Sequence, residues 1–252
     1  MKTLYTESKQ SEREYQKLAR MGQRLQIPIT ECFLQMDVLS SDGEILHSHK
    51  QRSHSWNRNF YTMLFDTICG KDTNDTTTGA GKVSLLANSY GSERVVNYNV
   101  VPAMIQAGGG SQYQYDGDNV GGGYCNRAPV ANSDFGILVG SGTDPEDFEG
   151  WKLSAQILNG NATGQLSHQA TNPHVISYDA PSKTLSDLLI RFFNNNSGAD
   201  ILINETALIY AIGVAYGTFN TMFGRDLLSS TVTVPDAGQL KVAYTISLVF
   251  PA

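Results

Sequence analysis

Cysteine is scarce in this 252-residue chain, and the three present, Cys32, Cys69 and Cys125, are widely spaced and odd in number. That pattern supplies neither a disulfide framework nor a CxxC metal site, so they are expected to be reduced and buried. Charge is sparse too, at 17% of residues with a net of −6. One short basic run, Lys50 to Arg58, stands against that acidic balance. Phosphate recognition needs clustered Lys and Arg, so no nucleic-acid partner is expected. No apolar run approaches the roughly 20 residues that cross a bilayer, and MKTLYTESKQSERE lacks the apolar centre of a signal peptide. The expectation is a chain made and assembled in a cytoplasm, with no membrane partner.

What is abundant is Gly, Asn, Ser and Thr, a usage that suits many strands and turns better than long solvated helices. The clearest strand signal is the last stretch, Ser230 to Phe250. Val242, Tyr244, Ile246, Leu248 and Phe250 alternate with Ala243, Thr245, Ser247 and Val249, the period-two pattern of a half-buried strand. Thr231 to Val234 starts the same alternation before Pro235-Asp236-Ala237-Gly238, which reads as a hairpin turn. The face of Ala243, Thr245, Ser247 and Val249 is small and weakly polar, so Thr245 marks a candidate subunit contact.

Earlier in the chain, Ser11 to Glu14 fits a capping box, and Tyr15, Leu18, Gly22 and Leu25 lie on one helical stripe that Pro28 ends. Residues 1 to 28 are expected to form an arm whose helix docks on the domain or on a neighbouring subunit. Glu31 to Leu39 and Glu44 to Gln51 read as paired strands about Ser41-Asp42-Gly43. A second helix follows, capped by Ser53 or Ser55, with Trp56, Phe60, Leu64 and Ile68 as a core stripe and Gly70 at its end. Between about 71 and 127 pattern is mostly lost apart from Val95 to Ile105, and glycine clusters bracket a Tyr-, Asp- and Asn-rich insertion. Strands then return at Phe135–Val139, Lys152–Leu158, His174–Tyr178, Thr184–Asn194 and Asp200–Tyr210, with Asn194 to Gly198 as a turn. The fold class expected over 29–252 is mainly β: an antiparallel β-sandwich, jelly-roll or immunoglobulin-like, with two helices and the N-terminal helical arm.

Catalytic chemistry finds little support. Gly140-Ser141-Gly142-Thr143-Asp144 follows a strand, as a phosphate loop would, but lacks its Lys and is followed by Pro145-Glu146-Asp147. Asp116 and Asp118 alternate in one loop, and Asp144, Glu146 and Asp147 cluster in another. Both offer oxygen ligands for calcium without a completed set. His47 and His49 share a strand face with His54 nearby and want a third ligand, so a surface face is expected. His168 and His174 have no nucleophile motif beside them. Tyr113, Tyr115 and Tyr124 could stack sugars but are read first as interface residues. Glu205 lies between apolar runs, and Arg225 or Arg191 would neutralise it if that strand is buried.

Three segments carry a resemblance. They are Phe135 to Thr143 with Trp151-Lys152-Leu153, Arg191 to Asn195 leading to Ile203 to Leu208, and Arg225 to Leu228 running into the terminal stretch. Together they resemble virion structural proteins of tailed bacteriophages, over about Phe135 to Pro251, with Ser53 to Phe60 as an earlier match. The resemblance implies a non-enzymatic, homo-oligomeric virion component on capsid, neck or tail, such as a capsid-decorating, minor capsid, connector or tail subunit. Its partners would be other virion proteins, its site of synthesis the host bacterial cytoplasm, and no cofactor is implied. The alternative is a receptor- or glycan-binding module of a tail or head fibre, using Gln106 to Arg127.

Overall fold

A computed structural model describes residues 4–5, 9–53, 55–61, 64, 83–87, 92–96, 126–214 and 217–251. Two facing antiparallel sheets make a β-sandwich. Sheet A joins β1 (Leu4–Tyr5), β3 (Ile45–Arg52), β2 (Ile29–Leu39), β12 (Gln239–Val249) and β9 (Thr184–Asn194) in that order, with β7 (Ser167–His168) and β8 (Val175–Asp179) both on the far side of β9. Sheet B runs β5 (Ser92–Val96), β4 (Val83–Ala87), β11 (Gly217–Val234), β10 (Ile201–Val214), β6 (Gly136–Gly140). The two-residue β1 is the exception to antiparallel pairing, lying parallel to β3.

Alternation builds the core. Leu34, Met36 and Val38 of β2, Val242 and Tyr244 of β12, and Leu189 and Phe193 of β9 meet Ile137 and Val139 of β6, Ile203 and Leu208 of β10, and Val232 and Val234 of β11. Cys32 joins them as a free, buried thiol. Burying each such side chain contributes roughly 1.5 to 3 kcal/mol before entropy is set against it. A second cluster, Leu138, Leu153, Ala207, Ile209 and Met222, lies under Phe135 and Trp151 on the other face of sheet B.

The terminal stretch departs from its expected form. β11 and β12 do not pair with each other: β11 pairs with β10 and β4, β12 with β2 and β9. Pro235 to Gly238, closed by the Gly238 N–H to the Pro235 carbonyl at 3.0 Å, is therefore a corner between sheets and not a hairpin turn. Alternation specifies a half-buried strand but not its neighbour. Asn194 to Gly198 is the matching corner from β9 to β10. Burial along β12 also fades, from the fully buried Leu240, Val242 and Tyr244 to the exposed Phe250.

Asn195 locks the two corners together. Its side-chain amide donates to the Ala199 and Val234 carbonyls at 2.8 and 2.9 Å, and its side-chain oxygen accepts from Ser197. Its backbone N–H donates to the Gly238 carbonyl, and its own carbonyl accepts from Ala237.

The predicted β2–β3 pair forms about Gly43, which takes the positive φ that its turn requires, with one register shift between Val38 and Leu39. From β3 the chain crosses to sheet B, where Asn57 donates to the Phe223 carbonyl. Asn57, not Ser53 or Ser55, caps the second helix: its Oδ1 accepts the Phe60 N–H while its amide holds the Gly150 and Met222 carbonyls. Trp56 and Phe60 of the expected stripe meet at 4.4 Å between ring centroids, whereas Leu64 is exposed. Ile68 and Gly70, like most of the glycine-rich insertion, lie outside the described residues.

Residues 152–158, expected as a strand, form none. The segment touches β6 through Ser141 N–H to Ala155 O and Ile157 N–H to Val139 O. The N–H groups of Ser154 and Ala155 turn instead to a buried carboxylate, described next.

Candidate functional site

Glu205 is fully buried on β10, opposite Gly140 of β6 and Leu227 of β11, at a point where the β10–β11 register slips. Its carboxylate accepts from the backbone N–H groups of Gly142, Ser154 and Ala155 at 3.2, 3.0 and 2.7 Å. The fourth donor is Arg225 Nε at 2.6 Å. Arg225 spends its other nitrogens on the Pro145 and Asp144 carbonyls. The charge expected to need a partner at Glu205 thus has Arg225, and the loop 140–155 is tied to sheet B through it.

This arrangement explains the glycines that resembled a phosphate loop. A Cβ on Gly140 or Gly142 would stand 2.5 or 2.6 Å from Glu205 Oε1. The loop's N–H groups hold the protein's own carboxylate where a phosphate loop would hold a ligand.

Arg191 acts differently. Also fully buried, it donates to the carbonyls of Gln169 and Ile137 at 2.9 Å, of Asn132 at 2.7 Å, and at longer range of Phe135 and Pro129. Burial lowers its pKa to about 10. Carbonyl dipoles solvate this cation and fasten the irregular segment 129–135 and the start of β6 to β9. Nearby, His168 Nδ1–H donates to the Asn132 carbonyl at 3.0 Å and the ring stands edge-on to Phe193, and burial pushes its pKa down to about 4. At the layer interface the Tyr244 hydroxyl donates to the buried Asp226 carboxylate at 2.8 Å; burial first, then Asp226, raises the phenol well above its ordinary value.

The other candidates divide clearly. Asp144 accepts from the Ser154 hydroxyl, Glu146 from the Leu227 N–H, and Asp147 from the Glu149 N–H. Among the described residues no group of three or more His, Cys, Asp or Glu is placed to hold a metal ion. Asp116, Asp118, Tyr113, Tyr115, Tyr124, His54, Cys69 and Cys125 lie outside the described residues. His49, expected on a surface face, is instead fully buried and bonded to Gln51 and Ser230, while His47 is half-buried. The strand is inward-facing there because β3 packs beside β2 against β11. His174 joins the Asp187 carboxylate at 2.7 Å to the Asn126 side chain at 2.8 Å.

The helical stripe on α1 (Lys9–Leu25), which begins ahead of the expected Ser11 cap, splits in two. Gly22 is buried against Ile29, and Tyr15 lies under the Arg52 guanidinium, 3.7 Å from its ring centroid. Burial, reinforced by Glu31, raises the Tyr15 phenol to about 12. Arg52 also pairs with Glu12 at 2.9 Å, so one face of the helix is docked on sheet A. Leu18, Met21 and Leu25 point elsewhere and are 53%, 56% and 57% exposed.

Thr245 is half-buried on the outer face of sheet A, beside Phe33 of β2 and Leu188 of β9. β8 is exposed along its whole length, with Ile176 at 70% and Tyr178 at 61%. Beside sheet B a cleft of about 410 Å³ is lined by Asp144, Asp147, Glu149, Trp151, Lys152 and Arg225, among others.

Arg191's carbonyl cradle, Asn195's corner lock and Asp226's tie to Tyr244 went unread in the sequence. A lone Arg or Asp within an apolar run was the available signal, the one already applied to Glu205.

The chain is thus a β-sandwich with charged groups buried as internal ties and apolar groups left on its outside. It matches no protein-family model, no curated protein and no solved structure.

Proposed function

We propose that this chain is a structural, self-assembling subunit, and that the particle it builds is a tailed-phage virion, where it sits on capsid, neck or tail. The observation that carries the reading is the distribution of apolar surface. Among the described residues, the helix face of Leu18, Met21 and Leu25 and the strand β8 with Val175, Ile176 and Tyr178 are exposed. Large exposed apolar patches and unpaired strand edges mark surfaces that meet other chains.

The phage assignment is supported by the resemblance of Phe135 to Pro251 to virion proteins of that kind. The segments carrying it supply the buried ties: Arg191, Glu205 and Arg225 all lie within them. A subunit repeated in a shell must keep its shape under load, and such ties serve that need. Labelling intact particles with an antibody to this chain and viewing them by electron microscopy tests the reading. Label on a defined part of the particle is expected; label confined to unassembled protein would reject it.

A further inference from the structure

We propose that copies of this chain associate head to tail, the outward face of α1 on one copy docking into the acidic cleft beside sheet B of the next. This rests on the reading of the chain as an assembling subunit and names its first partner as a second copy of itself.

The charge on α1 runs against that of the chain. Of 18 Lys and Arg and 24 Asp and Glu overall, the helix KQSEREYQKLARMGQRL holds five and two. At 100° per residue, Arg13, Lys17, Arg20 and Arg24 fall on one stripe, with Met21, Leu25 and Leu18 beside it. All seven are exposed, whereas Tyr15 and Gly22, on the third side, are the ones docked on the domain. The outward face is therefore basic beside apolar, with one carboxylate, Glu14, set among the apolar residues and paired to Lys17 at 2.9 Å.

The cleft has the complementary layout. Asp144, Asp147 and Glu149 line it with the Trp151 indole, and Glu146 stands exposed in the same loop. Arg58 offsets Glu149 at 3.0 Å, Arg225 is committed to Glu205 and Lys152 lies over the Trp151 ring, 4.9 Å from its centroid, so among the described residues the rim keeps Asp144 and Asp147 as its acidic groups. Beside it lies exposed apolar surface: Phe148, with Tyr61 at 5.8 Å between ring centroids. Carboxylates at such a rim suit a guanidinium, whose planar fork donates paired hydrogen bonds to their oxygens. Helix and cleft sit against different sheets, so the contact uses two different patches. That is a heterologous interface, which gives rings or open chains of subunits.

Sedimentation velocity of the full chain, with Arg20→Glu/Arg24→Glu and Asp147→Lys variants, tests this. Wild type is expected to form oligomers that dissociate as salt is raised, since the contact is electrostatic and exposed at its rim. Each variant is expected to weaken association at least about tenfold. Mixed together they should form a one-to-one dimer and stop there, because each retains the surface the other lacks. Circular dichroism shows whether each variant is folded, and Glu149→Lys replaces Asp147→Lys if that one is not. A wild type that stays monomeric, variants that associate normally, a mixture that fails to dimerise, or binding to phosphatidylserine vesicles in place of self-association would each overturn the proposal. The two readings fail separately. A monomeric chain found on purified particles sinks the helix–cleft contact alone, whereas oligomers of a chain absent from particles sink the virion assignment alone.

Discussion

Arg225 Nε stands 2.6 Å from the Glu205 carboxylate, with both side chains almost wholly out of solvent. Three backbone N–H groups complete the shell around Glu205. Removing one member of such a pair leaves a buried charge without compensation, at a cost of about 3 to 5 kcal/mol. Glu205→Ala is therefore expected to lower the melting temperature sharply. An unchanged melting temperature would show that the carboxylate carries no structural charge.

Arg191→Lys tests the carbonyl cradle. An ammonium has three donors in a compact head and cannot reach the set of carbonyls that the guanidinium fork spans. Leaving several of them buried and unmatched costs about 1 to 3 kcal/mol each. Chemical denaturation is expected to show a clear loss of stability, and hydrogen exchange should localise the loosening to residues 129–137. Wild-type stability would mean that charge alone matters there.

His168 sets a pH dependence. Its pKa is about 4 in the fold, held down by burial, against about 6.5 unfolded, so between those values the unfolded chain binds a proton that the folded chain does not. Stability is then full above about 6.5 and falls as pH drops toward 4, by up to about 3 kcal/mol from this group. The buried His49, also shifted downward by burial, adds in the same direction. Thermal melts from pH 4 to 7 should show this slope, and His168→Gln should flatten it. A slope unchanged by the substitution would assign the effect elsewhere.

Asn195→Ala removes one side chain from two corners at once. It frees the Ala199 and Val234 carbonyls inside the fold, each an unsatisfied group worth about 1 to 3 kcal/mol. The expected result is a loss at the larger end for a single polar-to-alanine change, measured by denaturant midpoint. A loss within about 0.5 kcal/mol, the range of ordinary surface changes, would show that the corners hold without it.

What the sequence disclosed follows from which forces are local. Alternation along Val242 to Phe250 and Glu31 to Leu39 marks half-buried strands, and Ser41-Asp42-Gly43 marks the turn from Glu31–Leu39 to Glu44–Gln51, because side-chain period and turn chemistry act over a few residues. Strand partnership does not. The same Pro235 to Gly238 residues suit a hairpin or a corner between sheets, and only burial of β11 and β12 in opposite layers chooses the corner. Glu205 was legible as a charge between apolar runs, and Arg225 was one of two partners considered. Of the carbonyls that hold Arg191, those of Pro129, Asn132, Phe135 and Gln169 lie outside the strands, where backbone direction follows no side-chain period, and that of Ile137 lies in β6. The helix stripe of Tyr15, Leu18, Gly22 and Leu25 was read as one face. Arg52, 27 residues or more beyond it, draws Tyr15 inward and leaves Leu18 and Leu25 outside.

The copy number of this chain in purified particles bears most directly on its assignment as a virion subunit. Quantitative mass spectrometry of gradient-purified phage, washed in high salt and scaled to the most abundant shell protein, supplies it. A virion subunit is expected at a fixed, reproducible number of copies per particle. Absence of the chain from washed particles, or an amount that varies freely between preparations, would contradict it.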